Sequence, residues 1–203
     1  MNIIIAGIHT GIGKTICSAT ICQKLGFDYW KAVQAGDLEN SDSVFIKNNV
    51  RNPSCKIHEE RYKLVTPVSP HYAAELENLQ IKRGDFKLPE TDNNLLVETA
   101  GGLMSPLAEG FLIIDLIEEL KLPVVLVSNN YLGSINHTLL SVAALEQRKI
   151  NILGIVFSGQ NNPASEEYIL NHTKVPLLFK IPTLPKLSKN AFAKMADEIA
   201  INF

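Results

Sequence analysis

The sequence of 203 residues has little of what marks the specialised classes of protein. Its three cysteines, Cys17, Cys22 and Cys55, are too few and too irregularly spaced for a disulfide framework or a zinc site, which indicates reduced thiols. The net charge of −2 gives no electrostatic case for nucleic acid. No apolar run reaches the roughly 18 residues of a transmembrane helix, and no secretory signal is recognisable at the N-terminus. These absences favour a cytoplasmic protein without a membrane or nucleic-acid partner.

Short apolar runs alternate with helical patterns along almost the whole chain. The pattern predicts strands at 3–5, 28–33, 95–97, 123–128, 150–157 and 175–182, and helices at 16–25, 42–49, 72–79, 111–120, 134–147, 165–171 and 187–201. Residues 53–64 are too irregular to assign. The alternation predicts an α/β fold, in which residues 1–203 form one domain with a doubly wound, mainly parallel sheet flanked by helices. The last strand contains proline and is expected at the edge of the sheet.

The chain begins with a strand, a glycine-bearing loop and a helix, a combination typical of phosphate-binding P-loops. Gly11 and Gly13 allow backbone N–H groups to turn toward phosphate oxygens, and the helix N-terminus favours negative charge. Lys14 supplies a positive charge for the outer phosphates, and the Thr15 hydroxyl suits Mg²⁺. Five residues, not the usual four, separate Gly7 from Gly13. A turn that only caps a helix is the alternative, but the context predicts a P-loop fold that binds a nucleoside triphosphate.

Three charged residues lie where they would complete such a site. Glu98 ends an apolar strand, so it is expected at the sheet edge where the P-loop opens, and Asp42 is a second candidate carboxylate for Mg²⁺. Asp42 could equally be a helix cap. Lys31 ends the strand after the P-loop helix, where a cation would stabilise charge on a transferring phosphoryl group. The residues thus indicate phosphoryl-transfer chemistry.

Several further motifs resemble the dethiobiotin synthetase family, the ATP-dependent enzymes that act before the last step of biotin synthesis. The resemblance is collinear from residue 1 to about 185. It consists of the long P-loop and of the segments Trp30-Lys31-Ala32-Val33, Asn40-Ser41-Asp42, Ser69-Pro70-His71, Val97-Glu98-Thr99-Ala100-Gly101-Gly102, Leu132-Gly133-Ser134-Ile135-Asn136-His137 and Pro176-Leu177-Leu178 with Ile181-Pro182.

The resemblance implies roles for individual residues of this chain. Lys31 and Lys14 become the catalytic residues, and Thr15, Asp42 and Glu98 become the Mg²⁺ ligands. The implied contacts to ATP and its metal are Gly11, Ile12, Gly13, Lys14, Thr15, Ile16, Asp42, Glu98, Gly101, Ser158 and Pro182. The implied contacts to the organic substrate are Thr10, Lys31, Ala35, Gly133, Ser134, Ile135 and Asn136, the last four reaching across a homodimer.

The implied reaction consumes 7,8-diaminononanoate, CO₂ and ATP. One amine forms a carbamate, the carbamate attacks the γ-phosphate of ATP, and the second amine closes the ureido ring of dethiobiotin with release of phosphate. Phosphoryl transfer and cyclisation of this kind depend mainly on positioning and electrostatics.

The chain departs from the family pattern at several positions, among them Ala32 in place of a proline and Thr99 in place of a glycine, and three others bear on the site. Where the family has a hydroxyl that contacts substrate, this chain has Ala35, so that contact is lost or moved to Gln34. Ser158 stands where the family usually recognises adenine with asparagine, which leaves the base preference open. His9 replaces an acidic or amide residue of the loop, and the sequence offers no account of its role.

Other nucleotide-binding proteins remain alternatives. A ParA- or MinD-like switch ATPase shares the expected fold, but such proteins carry a lysine at the position of His9. An amidotransferase-linked synthetase needs a second domain that 203 residues do not accommodate. A small-molecule kinase would explain the P-loop but not Lys31 or the segment 132–137.

Overall fold

A seven-stranded sheet lies at the centre of the computed structural model, which describes residues 1–184 and 188–201. The strands are β1 (Ile3–Gly7), β2 (Asp28–Lys31), β3 (Val33–Ala35), β4 (Ile57–His58), β5 (Tyr62–Leu64), β6 (Leu95–Glu98), β7 (Pro106–Ala108), β8 (Phe111–Leu112), β9 (Val124–Asn129), β10 (Ile152–Gly159) and β11 (Leu177–Pro182). The central sheet has the order β11-β10-β9-β1-β6-β2-β4 and all its pairings are parallel.

Seven α-helices accompany the strands in the described ranges 1–184 and 188–201. They are α1 (Lys14–Leu25), α2 (Asp42–Asn49), α3 (Pro70–Leu76), α4 (Ile113–Leu120), α5 (Ser134–Gln147), α6 (Pro163–Thr173) and α7 (Lys189–Glu198). Helix α1 packs against α2 and α7, whereas α5 packs against α6. The predicted α/β fold with a mainly parallel sheet flanked by helices is confirmed. No helix in this part of the chain has the length and apolar character needed to cross a bilayer.

The central strand β1 explains why the sheet is so apolar. Its five residues are all buried, with β6 on one side and β9 on the other. A strand with parallel neighbours on both sides and helices over both faces has no face turned to water, so its sequence is a continuous apolar run. The predicted edge position of the last strand is also confirmed, since β11 pairs only with β10 in the sheet order.

The register of three strands brings charged side chains together. Strand β6 pairs with both β1 and β2, and Glu98 lies opposite Ile5 on one side and Lys31 on the other. The loop that follows β1 therefore opens at the same edge of the sheet as Lys31 and Glu98. This edge is the carboxyl end of the parallel strands, where ligands bind in doubly wound folds.

Besides shifts of one to three residues at the ends of other elements, such as the helix expected at 72–79 that is Pro70–Leu76, the structure differs from the sequence expectations in four places. Strand β2 ends at Lys31, and Val33 belongs to β3, which pairs with β5 in a separate two-stranded sheet. Phe111 lies in a short antiparallel pair, β7 with β8, so helix α4 begins two residues later than predicted. The unassigned stretch 53–64 contains β4 and β5. The last helix was expected from Leu187, which lies outside the described residues, and α7 begins at Lys189 after the cap of Ser188.

Candidate active site

The loop between β1 and α1 forms the floor of the site. Gly11 and Gly13 have φ angles of 71° and 95°, in the left-handed region that glycine adopts without strain. A Cβ atom at Gly13 would lie only 2.4 Å from the Ser158 Oγ, so this position also requires glycine for lack of space. The predicted P-loop thus has the backbone that its glycines indicate.

Glu98 accepts hydrogen bonds from four side chains. Its Oε1 accepts from Lys31 Nζ at 3.0 Å and from Thr15 Oγ1 at 3.1 Å. Its Oε2 accepts from Ser18 Oγ at 2.7 Å and from Tyr29 OH at 3.1 Å. Both carboxylate oxygens of a side chain that is 0% exposed are thereby satisfied, which is the condition for burying a charge.

Asp42 completes the cluster from the first residue of α2. It forms an ion pair with Lys31, and its Oδ1 accepts from Thr15 Oγ1 at 2.6 Å. The helix itself is capped by Ser41, whose hydroxyl accepts from the backbone N–H of Val44, so Asp42 is not the cap. The structure brings Lys31, Asp42, Glu98 and Thr15 into direct contact, as the sequence predicts.

Burial and charge act in opposite directions in this cluster. Burial disfavours the charged form of Lys31, but the negative charges of Glu98 and Asp42 and the hydrogen bonds to them outweigh it and raise its pKa. Burial likewise opposes the charge of Asp42, but the charge of Lys31 and hydrogen bonds from Lys31 and Thr15 lower its pKa. The pKa shifts of Lys31 and Asp42 thus both favour the charged forms of these two side chains.

Lys14 lies beside this cluster, with its ammonium on backbone carbonyls. Its Nζ donates to the Gly101 carbonyl at 2.8 Å and to the His9 carbonyl at 3.1 Å. Burial, and then the positive charge of Lys31, lower the pKa of Lys14 to about 8. No carboxylate of residues 1–184 or 188–201 pairs directly with Lys14, so its buried positive charge is well suited to receive an anion, which would compensate the cost of burial.

The oxygen ligands of the cluster fit Mg²⁺. Thr15 offers a hydroxyl, and Asp42 and Glu98 offer carboxylates, the oxygen donors that this ion prefers. Among the described residues no group of three or more His, Cys, Asp or Glu side chains could hold a metal ion. The donor set therefore suits an ion that takes its other ligands from phosphate and water rather than from a closed protein cage.

A cavity of about 540 Å³ opens above the cluster. Thr10, Ile12 and Ala35 line it together with the P-loop glycines, the two lysines and the two carboxylates. Ile16 lies one turn inside α1, half-buried against the core. Gln34 also lines the cavity and is 9% exposed, and its buried Oε1 has no hydrogen-bond partner among the described residues. The cavity thus contains a buried acceptor that no residue in the described part of the chain satisfies.

A second cavity, of about 520 Å³, lies at the carboxyl ends of β9, β10 and β11. We call it the strand-end cavity; it is lined by Asn130, Phe157, Gly159, Gln160, Asn161, Glu166, Lys180, Ile181, Pro182 and Thr183. Ser158 lies beside it in β10, and its side chain contacts Gly13 of the P-loop. The predicted nucleotide contacts Ser158 and Pro182 are therefore on the β10 side of the phosphate loop.

Four predicted substrate residues lie elsewhere within the chain. Gly133, Ser134, Ile135 and Asn136 line a separate groove with Tyr131 and other residues of α5 and α6, and they do not line the cavity above the P-loop. Leu132 at its rim is fully exposed. The expectation that these residues reach a partner's site stays a prediction.

Sequence reasoning missed two members of the Glu98 cluster, although signals for both were present. Ser18 lies three residues after Thr15 in α1, so the two side chains share one face of the helix. Tyr29 lies two residues before Lys31 in β2, so both side chains point to the same face of the sheet. Helical and strand periodicity would have found them once Thr15 and Lys31 were assigned.

Comparison with known proteins identifies close relatives. Residues 1–191 match the family model AAA_26, described as an AAA domain. The ATP-dependent dethiobiotin synthetase BioD of Christiangramia forsetii is 44% identical over 194 residues, covering 96% of this chain and 93% of the relative. The BioD proteins of Campylobacter jejuni and Cytophaga hutchinsonii are 44% and 42% identical, covering 88% and 98% of this chain and 86% and 97% of theirs.

Solved structures give a likeness of fold alone. The cell division ATPase MinD of Pyrococcus furiosus has a TM-score of 0.58 at 17% identity, with 97% of each chain covered. A ParA family ATPase of Chlorobium tepidum has a TM-score of 0.53 at 11% identity, with 97% of this chain and 90% of that chain covered. The switch-ATPase alternative therefore remains a structural resemblance, and on its sequence this chain belongs to the ATP-dependent dethiobiotin synthetase family.

Proposed function

We propose that this chain forms the ureido ring of dethiobiotin from 7,8-diaminononanoate and CO₂, with ATP as co-substrate. The observation that carries the proposal is the contact of Lys31 with both Glu98 and Asp42 beside the P-loop, in a chain 44% identical to a protein named for this activity. A P-loop alone explains triphosphate binding. The buried ammonium of Lys31 beside it is a second cation, and it suits a reacting group that is itself an anion, such as a carbamate.

The proposed reaction proceeds in three bond-forming steps. An amine nitrogen of the diamine attacks CO₂ and loses a proton, giving a carbamate. A carbamate oxygen attacks the γ-phosphorus of ATP, the bond to the bridging oxygen breaks and ADP leaves. The second amine then attacks the carbonyl carbon of the mixed anhydride and loses a proton, which closes the ring and expels phosphate.

Lys31 and Lys14 supply the positive charge in this scheme. The raised pKa of Lys31 keeps its ammonium charged beside the reacting carbamate and the γ-phosphate. Lys14 exchanges the carbonyls of His9 and Gly101 for phosphate oxygens. Fixed charges of this kind stabilise the transition state without reorganisation during the reaction.

Mg²⁺ fits the same cluster. Thr15, Asp42 and Glu98 would hold the ion, which when bound neutralises charge on the β- and γ-phosphates. Ser18 and Tyr29 hold the second oxygen of Glu98 and so fix the orientation of that carboxylate.

The organic substrate occupies the cavity above the P-loop in this proposal. Thr10 and Gln34 line it, and the unpaired Oε1 of Gln34 replaces the hydroxyl that Ala35 lacks. The segment 133–136 binds the substrate of the partner in a homodimer, which agrees with its position outside the chain's own cavity and with the exposure of Gly133 and Asn136.

The test is ATP-dependent phosphate release with Mg²⁺ and bicarbonate, measured with and without 7,8-diaminononanoate, while mass spectrometry follows dethiobiotin. Lys31→Met is expected to lower kcat at least about 100-fold because it removes a transition-state contact. The exposed surface lysine variant Lys63→Met is the matched control and is expected to keep wild-type activity.

Two results would overturn the proposal. One is wild-type phosphate release that is independent of the diamine and gives no dethiobiotin. The other is a folded Lys31→Met protein with wild-type kcat.

A further inference from the structure

The strand-end cavity holds an amide whose orientation the protein fixes. Asn130 follows β9 directly, and its Nδ2 donates to the Glu166 Oε1 at 2.6 Å and to the Gln160 carbonyl at 2.9 Å. Both acceptors lack a hydrogen to give, so the NH₂ group must face them. The orientation of the Asn130 carboxamide is thereby determined by its surroundings.

Glu166 anchors this arrangement. Its side chain is 3% exposed, its Oε1 also accepts from the Asn162 backbone N–H at 3.1 Å, and it forms an ion pair with Lys180. A buried carboxylate with partners on two neighbouring segments is rigid, and it transmits that rigidity to Asn130.

The carbonyl end of the Asn130 amide has no partner within residues 1–184 and 188–201. The Oδ1 of Asn130 is buried and accepts no hydrogen bond from the described residues. A buried acceptor without a donor costs about 1 to 3 kcal/mol, and proteins seldom retain one unless a ligand or water satisfies it. Because Asn130 lines the strand-end cavity, the donor is expected from whatever fills that cavity.

The position of the cavity points to a nucleotide base. Ser158 contacts Gly13 of the P-loop on one side, and the Asn130 backbone N–H donates to the Ser158 carbonyl at 3.4 Å on the other. A triphosphate bound at Gly13 would thus have the strand-end cavity as its neighbour. Ser158 itself is short and 7% exposed, which leaves base recognition to another side chain.

We propose that Asn130 is the base-specificity residue of this protein: its fixed Oδ1 accepts a hydrogen bond from the exocyclic amino group of adenine. The inference rests on the proposed use of ATP at the P-loop. The proposal also predicts that the site disfavours hypoxanthine. This base has an oxygen in place of the amino group, so two acceptors, that oxygen and Asn130 Oδ1, would face each other.

The first test needs only the wild-type protein. Calorimetry with Mg²⁺ compares the Kd of ATP with those of inosine triphosphate and of purine riboside triphosphate, which has hydrogen in place of the amino group. ATP is expected to bind about 10-fold more tightly, or better, than either analogue. Equal Kd values for ATP and inosine triphosphate would overturn the inference.

The second test uses a pair of variants. In Asn130→Leu the ratio of the two Kd values is expected to fall toward 1, since Glu166 keeps Asn162 and Lys180 as partners but the base loses its acceptor. Asn161→Leu changes another amide of the same cavity and is expected to keep the wild-type ratio. A folded Asn130→Leu protein that keeps the full preference for ATP would contradict the inference.

These outcomes separate the inference from the proposed function. Binding is measured without the diamine, so a preference for ATP that disappears in Asn130→Leu supports the role of Asn130 even if no dethiobiotin forms. Conversely, dethiobiotin formation with equal affinity for both purine nucleotides would support the proposed function and exclude Asn130 as the specificity residue.

Discussion

Glu98 is the residue on which most polar contacts of the site converge. Lys31, Thr15, Ser18 and Tyr29 all donate to its two oxygens, and the side chain is fully buried. Removing one partner of such a buried charge costs more than the same bond at the surface, because the charge remains out of water. Substitutions at the supporting residues should therefore affect both stability and catalysis.

Ser18→Ala removes one hydroxyl that donates to Glu98 and so tests whether that hydrogen bond orients the carboxylate. Ser18 is a positioning residue, so the variant is expected to raise the Mg²⁺ concentration at half-maximal rate about 10-fold, the lower range for losing a residue that orients a metal ligand. Thr20→Ala is a matched control: Thr20 also donates to a carbonyl of α1, that of Ile16, but not to Glu98. Equal Mg²⁺ requirements in both variants would show that Ser18 only stabilises the helix.

Gln34→Leu tests the unpaired acceptor of the main cavity. If Oε1 receives an N–H of the diamine, the KM for the diamine is expected to rise about 10-fold while the KM for ATP stays constant. Adding Ala35→Ser in the same chain is expected to recover part of the loss, because it supplies a hydroxyl next to the same position. A parallel rise of both KM values would instead indicate a distorted cavity.

The two ends of strand β2 carry charged residues with different roles. Its carboxyl end presents Lys31 to the site, and its first residue, Asp28, is a buried carboxylate at the opposite edge of the sheet. Asp28 Oδ1 accepts hydrogen bonds from the Lys56 backbone N–H at 2.9 Å and from Asn93 Nδ2 at 3.0 Å. Its Oδ2 accepts hydrogen bonds from Thr91 Oγ1 at 2.7 Å and from His58 Nε2 at 3.0 Å. This carboxylate joins three segments that are distant in sequence.

Asp28→Asn should lower the free energy of unfolding by about 2 to 4 kcal/mol, because the amide NH₂ faces groups that donate. Urea unfolding measures the change. Asp92→Asn, at an exposed acid near the same segment, is the control and should be close to wild type. A loss of equal size in both variants would contradict the role of Asp28.

The same residue predicts a pH dependence. Burial opposes the charge of Asp28, but hydrogen bonds from Lys56, Thr91, His58 and Asn93 outweigh it and lower its pKa below the ordinary 3.8. A lowered pKa in the folded state contributes stability above pH 3.8 that is lost as the pH falls through the folded-state value. The wild-type unfolding free energy should therefore decline more steeply below pH 4 than that of Asp28→Asn.

Element boundaries show what local patterns can and cannot predict. Helices α2 and α5 begin and end where the sequence indicates, because their caps and apolar spacing are local features. Strands β4 and β5 have two and three residues and owe their existence to pairing with β2 and β3, far away in the sequence. The break after Lys31 also depends on that distant pairing, so no periodicity within the segment reveals it.

The candidate active site likewise has features that the sequence predicts and features that only the folded chain reveals. The P-loop and the motif around Glu98 were predictable because strand ends of a parallel sheet meet at one edge. The unpaired oxygens of Gln34 and Asn130 were not, because a partner can be assigned only after the chain is folded.

At the scale of the whole molecule, the proposed homodimer has a sharp functional test. Lys31→Met and Asn136→Trp are each expected to be inactive, the second because its bulk fills the partner's cavity. In a mixture of the two, hybrid dimers contain one site with both wild-type residues, so about a quarter of wild-type activity should return. Sedimentation controls for assembly, and a mixture that stays inactive despite forming hybrid dimers would contradict sharing of the site.

The position of β1 in the sheet has a consequence for synthesis of the chain. Ile3 pairs with Leu96 and Ile4 with Val124, so β1 is synthesised before either of the two strands that flank it in the sheet. Until those strands are made, a fully apolar segment has no sheet to join, and such segments are the ones that self-associate. We therefore expect β1 to need protection from self-association, by a chaperone or by rapid elongation, until β6 and β9 have been synthesised.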